Sequence, residues 1–253
     1  MITIKSQREI ELMKEAGMMV SKTHQYLRQY IRPGITTKEL DTLAEEYIRS
    51  MGGVPTCKGY EGYPATLCTS VNDEVVHGIP GKRKLKEGDI ITIDMVIGYQ
   101  GYQGDAAWTY AVGNISCQKA DLMKYTEEAL YEGIRMVKPG NRIGDISYAI
   151  ECYANAHHLG VVKELTGHGI GQQMHEDPYV PNYGKPHTGA KLREGMVICI
   201  EPMLNAGTPH VYVLDDEWTV KTDDGKPSAH FEHTVLVTKD GYEILTPRLD
   251  EKD

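Results

Sequence analysis

No run of about 18 apolar residues occurs anywhere in the 253-residue chain, so no segment reads as a membrane-spanning helix. The stretch from Met1 to Val20 also lacks the uninterrupted apolar core of a secretory signal. The expectation is a soluble, cytoplasmic protein with no membrane partner. Cysteine is sparse: Cys57, Cys68, Cys117, Cys152 and Cys199 are odd in number and never in C-x-x-C spacing. Neither a disulfide framework nor a cysteine zinc site is suggested. Basic charge is in deficit, 27 Lys and Arg against 36 Asp and Glu, which argues against nucleic acid as the specific partner. Phenylalanine is reduced to Phe231, and sixteen tyrosines carry most of the aromatic surface. The His-Glu-x-x-His pattern is missing too. His175-Glu176 has no second histidine four residues on, so the helical zinc-protease arrangement is excluded.

What is present is organised around Thr166-Gly167-His168-Gly169-Ile170-Gly171, followed by Met174-His175-Glu176-Asp177-Pro178. Alternating glycines strip one face of an extended segment, so a ligand or metal can approach the backbone there. Histidine is a common metal ligand and proton shuttle. Ahead of this stretch, Ser6-Gln7-Arg8-Glu9 is a capping box. Ile10, Met13, Gly17, Val20, His24, Leu27 and Ile31 then recur at helical spacing as far as Pro33-Gly34. A second helix starts at Thr36 and stops at Gly52-Gly53. Short strands are expected over 57–63 and 66–76.

From Asp89 to Ile97 the chain alternates: Ile91, Ile93, Met95 and Ile97 on one face, Thr92, Asp94 and Val96 on the other. Gly98-Tyr99-Gln100-Gly101 reads as a hairpin turn, with a return strand from about Tyr102 to Val112. Folding about the middle of that turn sets Asp94 directly opposite Asp105. The second half echoes the first, because Ile31-Arg32-Pro33-Gly34 recurs as Val137-Lys138-Pro139-Gly140 between two helical stretches. Glu201 stands at nearly the same distance beyond its Pro-Gly pair as Asp94 does beyond its own. Glu232 follows where Asp105 would, after a longer hairpin. The expected architecture is a single α+β domain, 1–253, of two pseudo-symmetric α/β halves at about 1–112 and 113–253.

Asp94, Asp105, Glu201 and Glu232 each sit in an otherwise apolar strand on this reading. Buried carboxylates must be neutralised by protons, partners or metal. Four of them with a histidine supply mostly hard oxygen donors, suited to Mn, Fe, Co or a catalytic Zn pair. Two carboxylates at hairpin distance suit ions roughly 3.5–4 Å apart, the spacing of two-metal hydrolytic sites.

The chain resembles the type I methionine aminopeptidases of the pita-bread fold. The resemblance rests on Val75-Val76-His77-Gly78-Ile79-Pro80, Asp94 with Asp105, Thr166 to Gly171, Ile200-Glu201-Pro202-Met203 and Glu232-His233-Thr234, and it spans nearly the whole chain. It implies two α/β halves around a curved antiparallel sheet. It places two divalent ions (Co, Mn, Fe, Zn or Ni) on Asp94, Asp105, His168, Glu201 and Glu232, with Asp105 and Glu232 bridging. His77 and His175 fall at the substrate, and Cys57, Tyr60, Tyr63, Cys68, Met174 and Trp218 around a methionine side chain. The implied reaction is removal of an N-terminal methionine from nascent proteins and peptides with a small second residue, by a hydroxide bridging the ions. Glu201, His77 and His175 carry the catalytic roles. A monomer, with room for a transient ribosome contact, is expected.

Three positions depart from the family pattern. Val96 and Cys199 stand where a hydroxyl residue is common, and Met174 where an aromatic is common. Two alternatives share the fold. An Xaa-Pro aminopeptidase or prolidase usually carries a further N-terminal domain, for which the capping box at Ser6 leaves no expected room. A non-catalytic peptide-binding module has lost ligands, whereas this chain keeps all five.

Overall fold

The computed structural model describes residues 1–249. The first helix, α1 (Gln7–Arg28), starts at the Ser6–Glu9 capping box. Its stripe from Ile10 to Leu27 is buried as expected, but it ends before Pro33-Gly34. The second, α2 (Thr37–Ser50), is capped by a reciprocal Thr36–Glu39 box, and each such cap contributes about 1 kcal/mol. Strands β1 (Val54–Pro55), β2 (Cys68–Val71) and β3 (Glu74–Val76) follow. Between β1 and β2 the expected strand over 57–63 is instead a loop with a single helical turn at Tyr60–Gly62. Gly59 and Gly62 there adopt positive φ angles, which breaks any extended run.

The long hairpin is β4 (Ile90–Tyr99) and β5 (Tyr102–Ala111). β4 is flanked by β5 on one edge and by β1 and β2 on the other. Then come α3 (Cys117–Arg135) and α4 (Ile143–Ala156), strands β6 (Gly160–Val161), β7 (Gly167–Gly169) and β8 (Glu176–Val180), and β9 (Val197–Ile200) with β10 (Met203–Asn205). The chain closes with β11 (Val211–Val213), β12 (Val220–Thr222), β13 (Ser228–His230), β14 (His233–Val237) and β15 (Tyr242–Ile244). The largest sheet of the second half runs in the order β15-β14-β9-β7-β8, and every pairing in the fold is antiparallel.

Two contacts position the site. The α1 helix presses onto β5 at Gly17 and Gly104, so closely that a Cβ on Gly104 would stand 2.6 Å from the Gly17 nitrogen. On its free edge β5 meets the second half without a regular ladder. The Thr234 hydroxyl donates to the Asp105 carbonyl at 2.7 Å and accepts from the Asp105 amide at 3.1 Å. The Glu232 amide donates to the Ala107 carbonyl at 2.7 Å. These bonds bring Asp105 and Glu232 together from distant parts of the chain. Among the described residues, no helix is long and apolar enough to cross a membrane.

Candidate metal centre

The register of the long hairpin corrects one expectation. The turn is the two-residue Gln100-Gly101, both with positive φ (47° and 86°), which matches the twist of the flanking strands. Tyr99 therefore pairs with Tyr102, Asp94 faces Ala107, and Asp105 faces Val96. Asp94 and Asp105 are diagonal neighbours on one face rather than opposed. The diagonal still lies within reach of side chains converging on a common point.

Glu201 and Glu232 likewise do not lie inside strands. Glu201 is the first residue beyond β9, and Glu232 occupies the break between β13 and β14. Leaving the ladder frees both side chains to turn into the cleft. His168 sits at the centre of β7, flanked by Gly167 and Gly169. Those glycines serve a purpose other than ligand access. A Cβ on Gly167 would stand 2.3 Å from the Cys199 carbonyl, and one on Gly169 would stand 2.1 Å from that of Asp177. They let β7 press against its neighbours, so that His168 alone projects from the other face.

The His168 Nδ1–H donates to the Gly169 carbonyl at 2.9 Å, leaving the Nε2 lone pair free. Nε2 lies 3.4 Å from Glu201 Oε1 and 3.7 Å from Asp105 Oδ2. These distances are too long for hydrogen bonds but suit neighbouring donors on one cation, where each donor lies about 2.0–2.2 Å from the ion. Asp105, His168, Cys199 and Glu232 bring ligand atoms within 4.8 Å of one another. Asp94 and Glu201 line the same cavity, about 370 Å³ in volume. Asp105 Oδ1 and Glu232 Oε1 are buried with no hydrogen-bond partner. A buried carboxylate oxygen without a donor is costly, and a divalent cation satisfies it.

Electrostatics agree. Burial raises Asp94 to about 7. It raises Asp105, Glu201 and Glu232 well above the usual carboxylate range, and repulsion among the four adds to it. Burial holds His168 and His77 near 4 and lowers His175, so all three imidazoles are neutral at neutral pH. Cys199 comes close to the cluster, but burial pushes its thiol up, and Sγ rests 3.6 Å from the Thr234 hydroxyl. In the metal-free site it is a protonated thiol beside the carboxylates. The donor set is hard oxygen with one imidazole, which fits a divalent cation.

The cavity continues into a pocket of sulfur and aromatic surface. Cys57, Tyr63, Cys68, Val96 and Met174 form one buried cluster, with Tyr60, Ile79 and Trp218 against it. Tyr63 meets Trp218 edge-on, ring centres 5.0 Å apart. His77, with a left-handed backbone at φ 59°, and His175 complete the lining. The Tyr60 hydroxyl bonds His175 Nδ1 at 2.9 Å. Every candidate site residue read from the sequence lines this cavity.

Three lining residues and one supporting ion pair were missed in the sequence. Leu165 and Tyr179 line the pocket without any motif to mark them. His230 is also in the wall, two residues before Glu232, and that alternation was the available signal. Lys5 was missed because its role depends on a distant partner. Its ammonium pairs with Glu176 at 2.7 Å, side chains only 5% and 13% exposed, immediately beside His175.

A buried carboxylate–histidine centre in an antiparallel α/β fold fits a divalent-metal protein. The chain belongs to metallopeptidase family M24, whose profile matches residues 11–239. Methionine aminopeptidase 1 of Bacillus subtilis is 52% identical over 97% of this chain and 99% of its own length. The crystal structure of methionine aminopeptidase from Rickettsia prowazekii superposes with a TM-score of 0.97 at 41% identity, covering 98% of this chain and all of that one. An Xaa-Pro dipeptidase from Bacillus anthracis shares the fold, with a TM-score of 0.79 at 23% identity. This chain spans 63% of its length.

Proposed function

We propose that the protein is a methionyl aminopeptidase, releasing N-terminal methionine from chains whose second residue is small. The observation that carries this reading is the continuity of one cavity. Asp105 and Glu232, each with one buried unpartnered oxygen, line the same cavity as Cys57, Tyr63, Cys68, Met174 and Trp218. Asp94, Asp105, His168, Glu201 and Glu232 would hold two divalent ions. Candidates are Co, Mn, Fe, Zn and Ni. When bound, such ions acidify water toward neutral pH and polarise a carbonyl.

The remaining chemistry belongs to the chain. The pocket takes the methionine thioether, whose contacts with aromatic rings contribute roughly 0.3–1.5 kcal/mol each. A Tyr60 hydroxyl donating to Nδ1 fixes neutral His175 with its proton on Nε2. That proton is free to donate to the scissile carbonyl oxygen as charge develops there. Glu201, beside the ions, would accept a proton and deliver it to the leaving nitrogen. His77 contacts the scissile amide nitrogen. We read the chain as one catalytic domain, with halves at 1–112 and 113–253 that each contribute two of the four carboxylates. The reading is of a cytoplasmic monomer acting on nascent chains, with room for a transient ribosome contact.

The test is parallel hydrolysis of Met-Ala-Ser, Met-Lys-Ser and Xaa-Pro peptides by the chain loaded with each metal in turn. Methionine release from Met-Ala-Ser, with Met-Lys-Ser and non-methionine Xaa-Pro substrates poorly cleaved, is expected. Preferential cleavage before proline regardless of the first side chain would favour the prolidase alternative instead.

A further inference from the structure

His230 is the one buried imidazole in the cavity wall to which the reading above gives no task. It ends β13, and its backbone is pinned on both sides by one side chain. Its amide donates to the Thr109 hydroxyl at 3.0 Å, and its carbonyl accepts from that hydroxyl at 2.9 Å. The ring is 1% exposed, and both of its nitrogens lack a hydrogen-bond partner. An unsatisfied buried polar atom costs about 1–3 kcal/mol. A ring with two of them, facing a functional cavity, therefore calls for a partner in the working state.

The nearest candidate is Glu201. His230 Nε2 stands 3.6 Å from Glu201 Oε2, while the other carboxylate oxygen, Oε1, stands 3.4 Å from His168 Nε2. Glu201 thus lies between two imidazoles, one oxygen turned to each. His168 has its Nδ1 committed to a carbonyl and offers a lone pair to a metal. His230 has no such commitment, so its Nε2 is free to carry the proton.

We propose that His230 is a positioning residue for Glu201, donating its Nε2–H to the carboxylate oxygen turned away from His168. The inference rests on the metal reading of the site. Hydrogen bonds at such sites are often long in the unloaded state and tighten on loading. The bond commits one Glu201 oxygen to the protein and leaves the other for the ion beside His168. Partners of this kind beyond the metal ligands typically alter metal affinity about 10–100-fold.

The test titrates the metal-free chain with Mn²⁺ and Zn²⁺ calorimetrically, for the native protein, His230→Gln and His230→Asn. Glutamine carries an N–H donor far enough out to reach Glu201, whereas asparagine is one carbon shorter. Both are polar, and thermal melts of the metal-free forms separate any loss of stability from loss of binding. The expected result is one of the two affinities weakened about 10–100-fold in His230→Asn and largely restored in His230→Gln. Affinities in His230→Asn equal to the native ones would overturn the role of His230. So would X-ray absorption of the zinc-loaded chain showing two imidazoles per pair of ions in the native form and one in His230→Asn, because His230 would then be a ligand. A native chain that takes up no divalent ion at all contradicts the metal reading itself, an outcome distinct from either.

Discussion

At the scale of single residues, the pocket decides what the site accepts. Tyr63 and Trp218 meet edge-on, and the thiols of Cys57 and Cys68 lie in the same buried cluster. A long, unbranched, polarisable side chain suits these surfaces. A pocket of this sort cannot strongly reject an isostere, because a change of about one methylene is worth only 1–3 kcal/mol. Peptides beginning with norleucine are therefore expected to be cleaved within roughly a hundredfold of their methionine counterparts. Those beginning with valine or lysine are expected to fail. In Trp218→Ala, KM for methionine peptides should rise while metal content stays constant. Steady-state kinetics with metal analysis checks both, and efficient release of N-terminal lysine by the native chain would contradict this account of the pocket.

At the scale of elements, the loop carrying Met174 and His175 is held from α1 and the segment before it. Glu176 accepts from Lys5 Nζ at 2.7 Å, from the Thr3 hydroxyl at 2.8 Å and from the Gln173 amide at 3.2 Å. A second line runs from Gln172 to the Tyr102 hydroxyl at 3.0 Å, and from there to Glu9 at 2.8 Å. Glu9 is also the capping residue of α1, so helix start and loop anchor share one carboxylate. Lys5→Met keeps the aliphatic stem but leaves Glu176 without its cation. A displacement of about 1 Å in a substrate-contacting group can cost up to a hundredfold in rate. The expected result is a kcat lowered on the order of ten- to a hundredfold at unchanged metal stoichiometry, partly restored in Lys5→Arg. Unchanged kinetics in Lys5→Met would show that the loop holds itself.

Legibility followed the range of the forces involved. Capping boxes are local, so Ser6 and Thr36 marked both helix starts. The convergence of Asp94, Asp105, His168, Glu201 and Glu232 on one cavity was legible because acidic residues in apolar surroundings are costly, although only Asp94 and Asp105 lie within strands. The pairing of Asp94 with Asp105 was not, because turn geometry sets register and the block from Gly98 to Gly101 permits two centres. Positive φ at Gln100 selects the later one. The glycines around His168 pointed to the right stretch for the wrong reason: they serve packing against β8 and β9. The Lys5–Glu176 pair and the Glu201–His230 approach join residues far apart in the chain, where periodicity carries no signal.

At the scale of the whole molecule, buried titratable groups make stability depend on pH in two opposing ways. His24 is fully buried, stacked on Trp108 at 4.0 Å, with Tyr110 on Nδ1 and the Ala106 carbonyl on Nε2. Burial, aided by the charge of Arg248, lowers its pKa from 6.5 to about 3. Below about pH 6.5 the unfolded chain binds a proton that the native state refuses, so stability falls with pH toward 3. The raised carboxylates of the metal site act oppositely in the metal-free chain. They bind protons more readily when folded and stabilise it as pH falls. Comparing the native chain with His24→Gln by urea unfolding cancels the carboxylate contribution. Between pH 7.5 and 5.5 the native chain should lose about 1.4 kcal/mol relative to the variant. Parallel curves would mean that His24 titrates normally.

The central claim is that carboxylates from distant parts of the chain share two ions, and counting ions tests it most directly. After loading with Mn²⁺ and exhaustive dialysis, the native chain should retain two ions per molecule by atomic emission. Asp105→Ala removes an oxygen pair common to both, while the Thr234 bonds to the Asp105 backbone survive the substitution. The account predicts a folded variant holding at most one weakly bound ion and releasing no methionine. Two tightly retained ions in folded Asp105→Ala would contradict it.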